Sequence, residues 1–158
     1  MNPKNSNTNE YLKTKVLTAS PEQLQLMLYD GAIRFCEQAR VAIENQQIEK
    51  SYNFISKAEK IVMELCLSMK EDIAPDTCTN MRRLYMFCYD RLVHANMKKD
   101  LDALNESLDI LRHIRKTWIL LMEKLREERS SQPQAVAACQ STDDLQSQEI
   151  GATINFEG

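Results

Sequence analysis

The sequence predicts an all-α fold: an antiparallel four-helix bundle with an N-terminal arm or cap and a disordered C-terminal tail. Three observations predict it. No glycine occurs between Gly31 and Gly151, and a fold with many tight turns needs more of them. Four stretches carry apolar residues at helical spacing. The connections between those stretches are short, so neighbouring helices should run antiparallel. The glycine gap also excludes a glycine-rich phosphate loop in that span and argues against a β-sandwich. With 43% hydrophobic residues, 158 residues suffice for one domain and a tail.

Residues 1–17 form the arm. Its start, MNPKNSNTNE, is polar and has no apolar signal-peptide core; Tyr11, Leu12, Val16 and Leu17 are its apolar points. A helix start is written at Ser20, with Ser20 as N-cap, Pro21 at the first helical position and Gln23 completing a capping box. Leu24, Leu28, Phe35, Ala39 and Ala42 follow at helical spacing, with Met27 and Ala32 beside them, giving a helix over about 21–44. Ile48, Tyr52, Ile55, Val62, Cys66 and Met69 mark a second helix, about 47–70. Ile73-Ala74-Pro75-Asp76 is the break, since residues before proline avoid the α region. Met81, Leu84, Tyr85, Cys88, Leu92 and Ala95 mark a third helix, about 77–97. Leu101, Leu104, Leu108, Leu111, Trp118, Met122 and Leu125 mark the fourth, about 100–128, with the near-heptad spacing of bundle packing. From Arg129 the composition turns to Ser, Gln, Thr and Asp without periodicity, which predicts disorder over 129–158. The domain plan is therefore an arm at 1–17, a bundle at 18–128 and a tail at 129–158.

The net charge is -3. The tail accounts for all of it, holding Arg129 against Asp143, Asp144, Glu149 and Glu157. The first 128 residues carry 19 basic and 19 acidic groups. A neutral body without a long basic run argues against nucleic acid as a partner. Apolar runs such as Trp118 to Met122 reach five residues, far from the ~18 of a membrane span, so no membrane insertion is expected and the chain is expected in the cytosol. Five cysteines (36, 66, 78, 88 and 139) are an odd number and form no C-x-x-C. That speaks against a disulfide framework or a thiolate zinc site.

Catalytic constellations are scarce. His94 and His113 are the only histidines. Each follows an aspartate by four residues, Asp90 and Asp109, and reads as a surface pair. A carboxylate-bridged metal bundle would want Glu-x-x-His pairs, but residues 91 and 110 are Arg and Ile. Cys88 lies on the apolar stripe and reads as core rather than as a nucleophile. No catalytic residue, metal or cofactor is expected, and the chain does not read as an enzyme.

Binding is the better-supported class. A helix at the edge of a bundle needs one apolar stripe, and two of these helices carry two. At about 100° per residue, Leu84, Cys88, Leu92 and Ala95 share one sector, while Met86, Tyr89, Val93 and Met97 cluster nearly opposite. On the first helix Leu24, Leu28 and Phe35 lie on one side, and Leu26, Tyr29 and Ile33 on the other. Such second stripes either pack under the arm and against each other or leave a groove for an amphipathic helix from a partner. The methionines suit an adaptable surface.

Three segments carry a family resemblance. TASPEQLQLMLYDG (18–31), preceded by Tyr11 and Val16-Leu17, resembles the opening of the flagellar secretion chaperones, the flagellin-specific export chaperones of the FliS type. NMRRLYMFCYDRLVHAN (80–96), followed by Asp100, resembles their third helix, and LRHIRKTW (111–118) their fourth. The resemblance covers about 11–120. The linker KEDIAPDTC lacks the glycines usual there, Phe87 stands where Tyr is common, and the tail is long for the family. The resemblance implies a cytosolic chaperone that binds the C-terminal segment of flagellin, prevents early polymerisation and aids delivery to the flagellar type III export gate. Matched onto this chain, the client or displaced-arm contacts are Tyr11, Leu17, Leu26, Tyr29, Ile33, Met86, Tyr89, Val93 and Met97. Asn96 and Asp100 either fix the corner between the third and fourth helices or bond client backbone. Leu24, Leu28, Leu84, Leu92 and Trp118 are assigned to the core. A monomer is expected, a weak homodimer being the alternative state. The rival functional readings are another helical adaptor or dimerisation module and, behind it, a metal or redox enzyme.

Overall fold

The computed structural model describes residues 3–69 and 75–131. They form five helices: α1 (Pro3–Thr18), α2 (Pro21–Glu44), α3 (Ile48–Leu67), α4 (Pro75–Lys98) and α5 (Leu101–Ser131). The last four are the expected bundle helices, each end within three residues of its expected position. The capping box forms as written: Gln23 N donates to Ser20 Oγ at 3.2 Å, and Ser20 N donates to Gln23 Oε1 at 3.0 Å. Pro75 opens α4 at the first helical position, where its missing N–H has no partner to lose. Ile73 and Ala74 of the expected break lie outside the described residues.

The arm is itself a helix, which apolar periodicity did not signal. Tyr11, Leu12, Val16 and Leu17 spread around α1 rather than forming one face, and residues 8–18 are all exposed. At the other end, α5 runs through Ser131. The rest of the expected tail, 132–158, lies outside the described residues. The chain divides into a unit of residues 1–122, which holds the bundle, and a second unit from 123 onward, described only for its helical start.

Side-chain contacts fix the directions. Arg112, Arg115 and Trp118 of α5 meet Glu37, Asp30 and Glu22 of α2, so the two helices run antiparallel. Asn96 of α4 meets Ser56 and Glu59 of α3, and Cys88 of α4 meets Ser107 of α5. Turns are tight. Gln46 (φ 57°) and Lys99 (φ 55°) adopt the left-handed conformation that ends a helix.

The core is narrow because many of its residues are small. Ala32, Cys36, Ala39, Ala58, Cys88, Ala95, Ala103 and Ser107 are fully buried, alongside Ile55, Val62, Leu65, Leu92, Leu104, Leu108 and Leu111. Ser107 Oγ donates to the Cys88 carbonyl at 3.0 Å, a contact only small side chains allow. A Cβ on Gly31 would sit 3.3 Å from Ile61 Cδ1, so α2 and α3 approach closely there. Two tyrosines fill the middle: the hydroxyls of Tyr29 and Tyr85 are 2.6 Å apart across the bundle. Burial, followed by the nearby Cys88 thiol, pushes the Cys36 thiol far up, and burial pushes Cys88 up to about 11. Both are neutral thiols acting as small hydrophobes. Leu92 is core as assigned; Leu28, Leu84 and Trp118 are half-buried against it, and Leu24 is half-buried.

Candidate binding surface

The second stripe of α4 is real. Its first stripe turns inward, with Cys88, Leu92 and Ala95 buried. Met86 is 45% and Met97 74% exposed, Tyr89 and Val93 are half-buried between them, and Phe87 is exposed beside them. These apolar groups lie along the outer side of α4.

They do not lie alone. Tyr89 shares a shallow groove of 520 Å³ with Tyr52, Ser56, Lys60 and Met63 of α3. Helical spacing carries the same face of α3 on to Leu67, which is 74% exposed. The trough therefore has two walls. The α4 wall is apolar. The α3 wall alternates apolar with polar groups. Tyr52, expected in the core pattern of its helix, is exposed instead, because the α3 residues that turn inward are Ser51, Ile55, Ala58 and Val62. The weakly hydrophobic Ser51 and Ala58 hid the true inward face, and with it Tyr52, Met63 and Leu67 as members of the surface.

On α2 the expected second stripe fails at its centre. Tyr29 is 1% exposed. Its hydroxyl takes a hydrogen bond from Gln25 Nε2 at 2.9 Å and pairs with Tyr85, and its ring meets Trp118 edge-on with centroids 6.3 Å apart. A buried tyrosine with a satisfied hydroxyl is structural, so its place in a client-contacting stripe is corrected. Leu26 and Ile33 beside it are half-buried, Ile33 packing against the core. Tyr11 and Leu17 lie on α1, 66% and 75% exposed.

Asn96 and Asp100 resolve to the corner rather than to open surface. Asn96 is only 9% exposed; its Nδ2 donates to Ser56 Oγ (3.3 Å) and Glu59 Oε1 (3.2 Å), and its Oδ1 accepts from Lys99 Nζ (3.1 Å). Asp100 caps α5, accepting from the backbone N–H of Asp102 (2.9 Å) and Ala103 (3.2 Å). The Ala103 N–H above all holds the Asp100 carboxyl below its usual range. His94 Nε2 lies 3.3 Å from Asp100 Oδ2, so His94 pairs with this cap rather than with Asp90. Asp109 likewise turns to Arg112 (3.6 Å) instead of His113. Lys99 Nζ lies 5.7 Å from the Tyr52 ring centre, and burial lowers its pKa. The corner thus closes the end of the trough with a fully engaged polar network.

Chemically, the groove offers Tyr52, Met63 and Tyr89 for apolar contact and Asn53, Ser56 and Lys60 for polar contact. Among the described residues no cluster of three His, Cys, Asp or Glu is placed to hold a metal, and no helix is long and apolar enough to cross a membrane.

Comparison with known proteins points the same way. Residues 4–125 match the family described as flagellar protein FliS. The flagellar secretion chaperone FliS of Bacillus subtilis is 34% identical over 75% of this chain and 88% of its own length. That of Salmonella typhimurium is 31% identical over 68% of this chain and 80% of its own. A solved structure described as a flagellar chaperone from bacteria superposes with a TM-score of 0.63 at 16% identity, covering 77% of this chain and 99% of that one, which shows the shared fold. The chain belongs to the FliS family of flagellar secretion chaperones.

Proposed function

We propose that this protein binds the C-terminal helical segment of flagellin in the cytosol, prevents its premature polymerisation and aids its delivery to the flagellar export gate. The observation that carries this reading is the α4 face of Met86, Tyr89, Val93 and Met97, with Met86 and Met97 exposed and Tyr89 resting on the core's edge, continued across the groove by Tyr52, Met63 and Leu67 of α3. Exposed apolar surface organised along two helices is a docking feature rather than scatter.

Blocking works by occupancy. Apolar faces that flagellin segments would bury in one another are buried in the trough instead, and no bond is made or broken. Ordering a disordered segment costs about 2–5 kcal/mol, so the complex holds while its contact is extensive and releases once the client is drawn away. Tyr11 and Leu17 on α1 are proposed as further client contacts, as are Leu26 and Ile33 on α2, while Asn96 and Asp100 keep the corner in shape. The protein acts as a monomer. Co-purification with flagellin carrying or lacking its C-terminal segment tests the reading. Capture of the full-length form alone is expected; equal capture of both refutes it. Deleting residues 1–17 tests the arm: unchanged flagellin affinity would remove Tyr11 and Leu17 from the contact.

A further inference from the structure

The two walls of the α3–α4 trough differ in charge as well as in polarity. On the α4 side the groove is lined by Tyr89, whose helix face Met86, Val93 and Met97 share. On the α3 wall the groove is lined by Lys57, Glu59 and Lys60 among others. Two of these three are engaged internally. Glu59 accepts from Asn96 Nδ2 and is the acid that favours the charged form of Lys99. Lys57 lies over the rings of Phe35 and Phe54, its Nζ 5.4 and 5.9 Å from their centres. Lys60 is exposed and has no ion-pair or hydrogen-bond partner among the described residues. Its turn on α3 lies between Ser56 and Met63, at the middle of the groove lining.

A helix laid in this trough with its apolar face toward α4 turns one flank toward α3. That flank meets the Lys60 ammonium. Because the bundle as a whole is neutral, the effect is local and is not long-range steering. We propose that Lys60 selects for and orients an amphipathic helix whose α3-side flank carries an Asp or Glu carboxylate, an inference that builds on the flagellin reading above. A reversed helix would present its other flank to Lys60 and lose the pair, so one lysine gives the trough a direction as well as a preference.

The test is calorimetric titration of the full chain with the flagellin C-terminal segment at low and high salt, for the wild type, Lys60→Met, Lys60→Glu and Met86→Asp. Met86 is exposed, so its substitution probes the trough without opening the core. Wild-type affinity is expected to fall as salt rises. Lys60→Met should bind about fivefold more weakly at low salt and lose most of that salt dependence. Lys60→Glu should bind at least about tenfold more weakly, and Met86→Asp should bind poorly at any salt. If both Lys60 variants bind like the wild type while Met86→Asp fails, the trough is the site and the charge preference is overturned. If Met86→Asp binds like the wild type as well, the trough is not where the segment docks and the Lys60 proposal falls while the flagellin reading stands; no binding by the wild type would overturn both.

Discussion

The Tyr29–Tyr85 pair allows a double-mutant cycle whose outcome follows from the hydrogen bonds. The Tyr29 hydroxyl pairs with Tyr85 at 2.6 Å and takes a bond from Gln25, and the Gln25 side chain also hydrogen-bonds Tyr85. Tyr29→Phe takes away the Tyr29 partner of the buried Tyr85 hydroxyl and leaves it Gln25, so the loss should be about 1 kcal/mol, the net worth of one hydrogen bond. Tyr85→Phe leaves Tyr29 its bond from Gln25, and the loss should stay near ~1 kcal/mol, the net worth of one hydrogen bond. Removing both hydroxyls orphans only the Gln25 amide, which is half-buried and can turn to water. The double variant should therefore cost about 1 kcal/mol, below the sum of the single changes, with a coupling of about 1 kcal/mol. Urea unfolding followed by far-ultraviolet circular dichroism reads all four proteins. Additive losses would refute the assigned hydrogen bonding. The same variants separate structure from binding. If Tyr29 is core, folded Tyr29→Phe binds flagellin as the wild type does; a tenfold loss of affinity at unchanged stability would restore it to the contact surface.

Other expectations concern caps, close approach and alkaline pH. Ser20→Ala removes one half of the capping box and should cost about 1 kcal/mol, readable as a lower urea midpoint at unchanged slope. Gly31→Ala gains about 1 kcal/mol of helix propensity against a few tenths of an ångström of movement by Ile61 Cδ1, so a small net stabilisation is expected; Gly31→Leu overpacks the α2–α3 contact and should cost about 1–3 kcal/mol. Cys36 and Cys88 have raised pKa values in the folded state, so their stability contribution is complete below the ordinary thiol range and declines above it, where only the unfolded chain ionises. Urea midpoints should hold level through pH 8 and fall above about pH 9, by up to ~1.4 kcal/mol per pH unit for each thiol; a level profile to pH 11 would contradict the buried, neutral thiols.

The sequence was most readable where chemistry is local. Ser20, Pro21 and Gln23 spelled the start of α2 down to its hydrogen bonds, and Pro75 marked the start of α4. The doubled stripe of α4 was legible because its two sectors are both strongly apolar and well separated. Legibility failed where small residues turn inward. On α2 the buried positions are Tyr29, Ala32, Cys36, Ala39 and Ala42, a face whose alanines carry little hydrophobic signal beside Leu24 and Leu28. Helical spacing of the large apolar residues points Leu24 and Leu28 inward and Tyr29 outward. The same effect hid the inward face of α3, where Ser51 and Ala58 are buried while Tyr52 is exposed. Asn96 and Asp100 were recognisable as a pair, but choosing between corner and contact required the partners Ser56, Glu59 and the α5 backbone, none of them nearby in a helical pattern.

That distribution of sizes bears on function. Cores usually collect the largest apolar side chains; here alanine, cysteine and serine hold much of the interior, while Tyr52, Leu67, Met86, Phe87 and Met97 remain outside. Small interior residues let the helices close on one another with few large side chains, as the Ser107–Cys88 contact and the narrow space at Gly31 show. Two consequences follow from one arrangement. The interior closes without Tyr52, Leu67, Met86, Phe87 or Met97, which leaves those outer faces unfilled. The large, adaptable groups freed from the interior then line the trough, where methionines fit an irregular helix surface better than rigid branched residues would. Filling the interior with larger residues would push the helices apart and change the trough's width, so core and binding surface are coupled through helix spacing alone. Ala58→Leu, a change at a fully buried position, should therefore lower flagellin affinity along with the cost of about 1–3 kcal/mol in stability. Wild-type affinity in a folded Ala58→Leu protein would show that the trough is independent of the spacing beneath it.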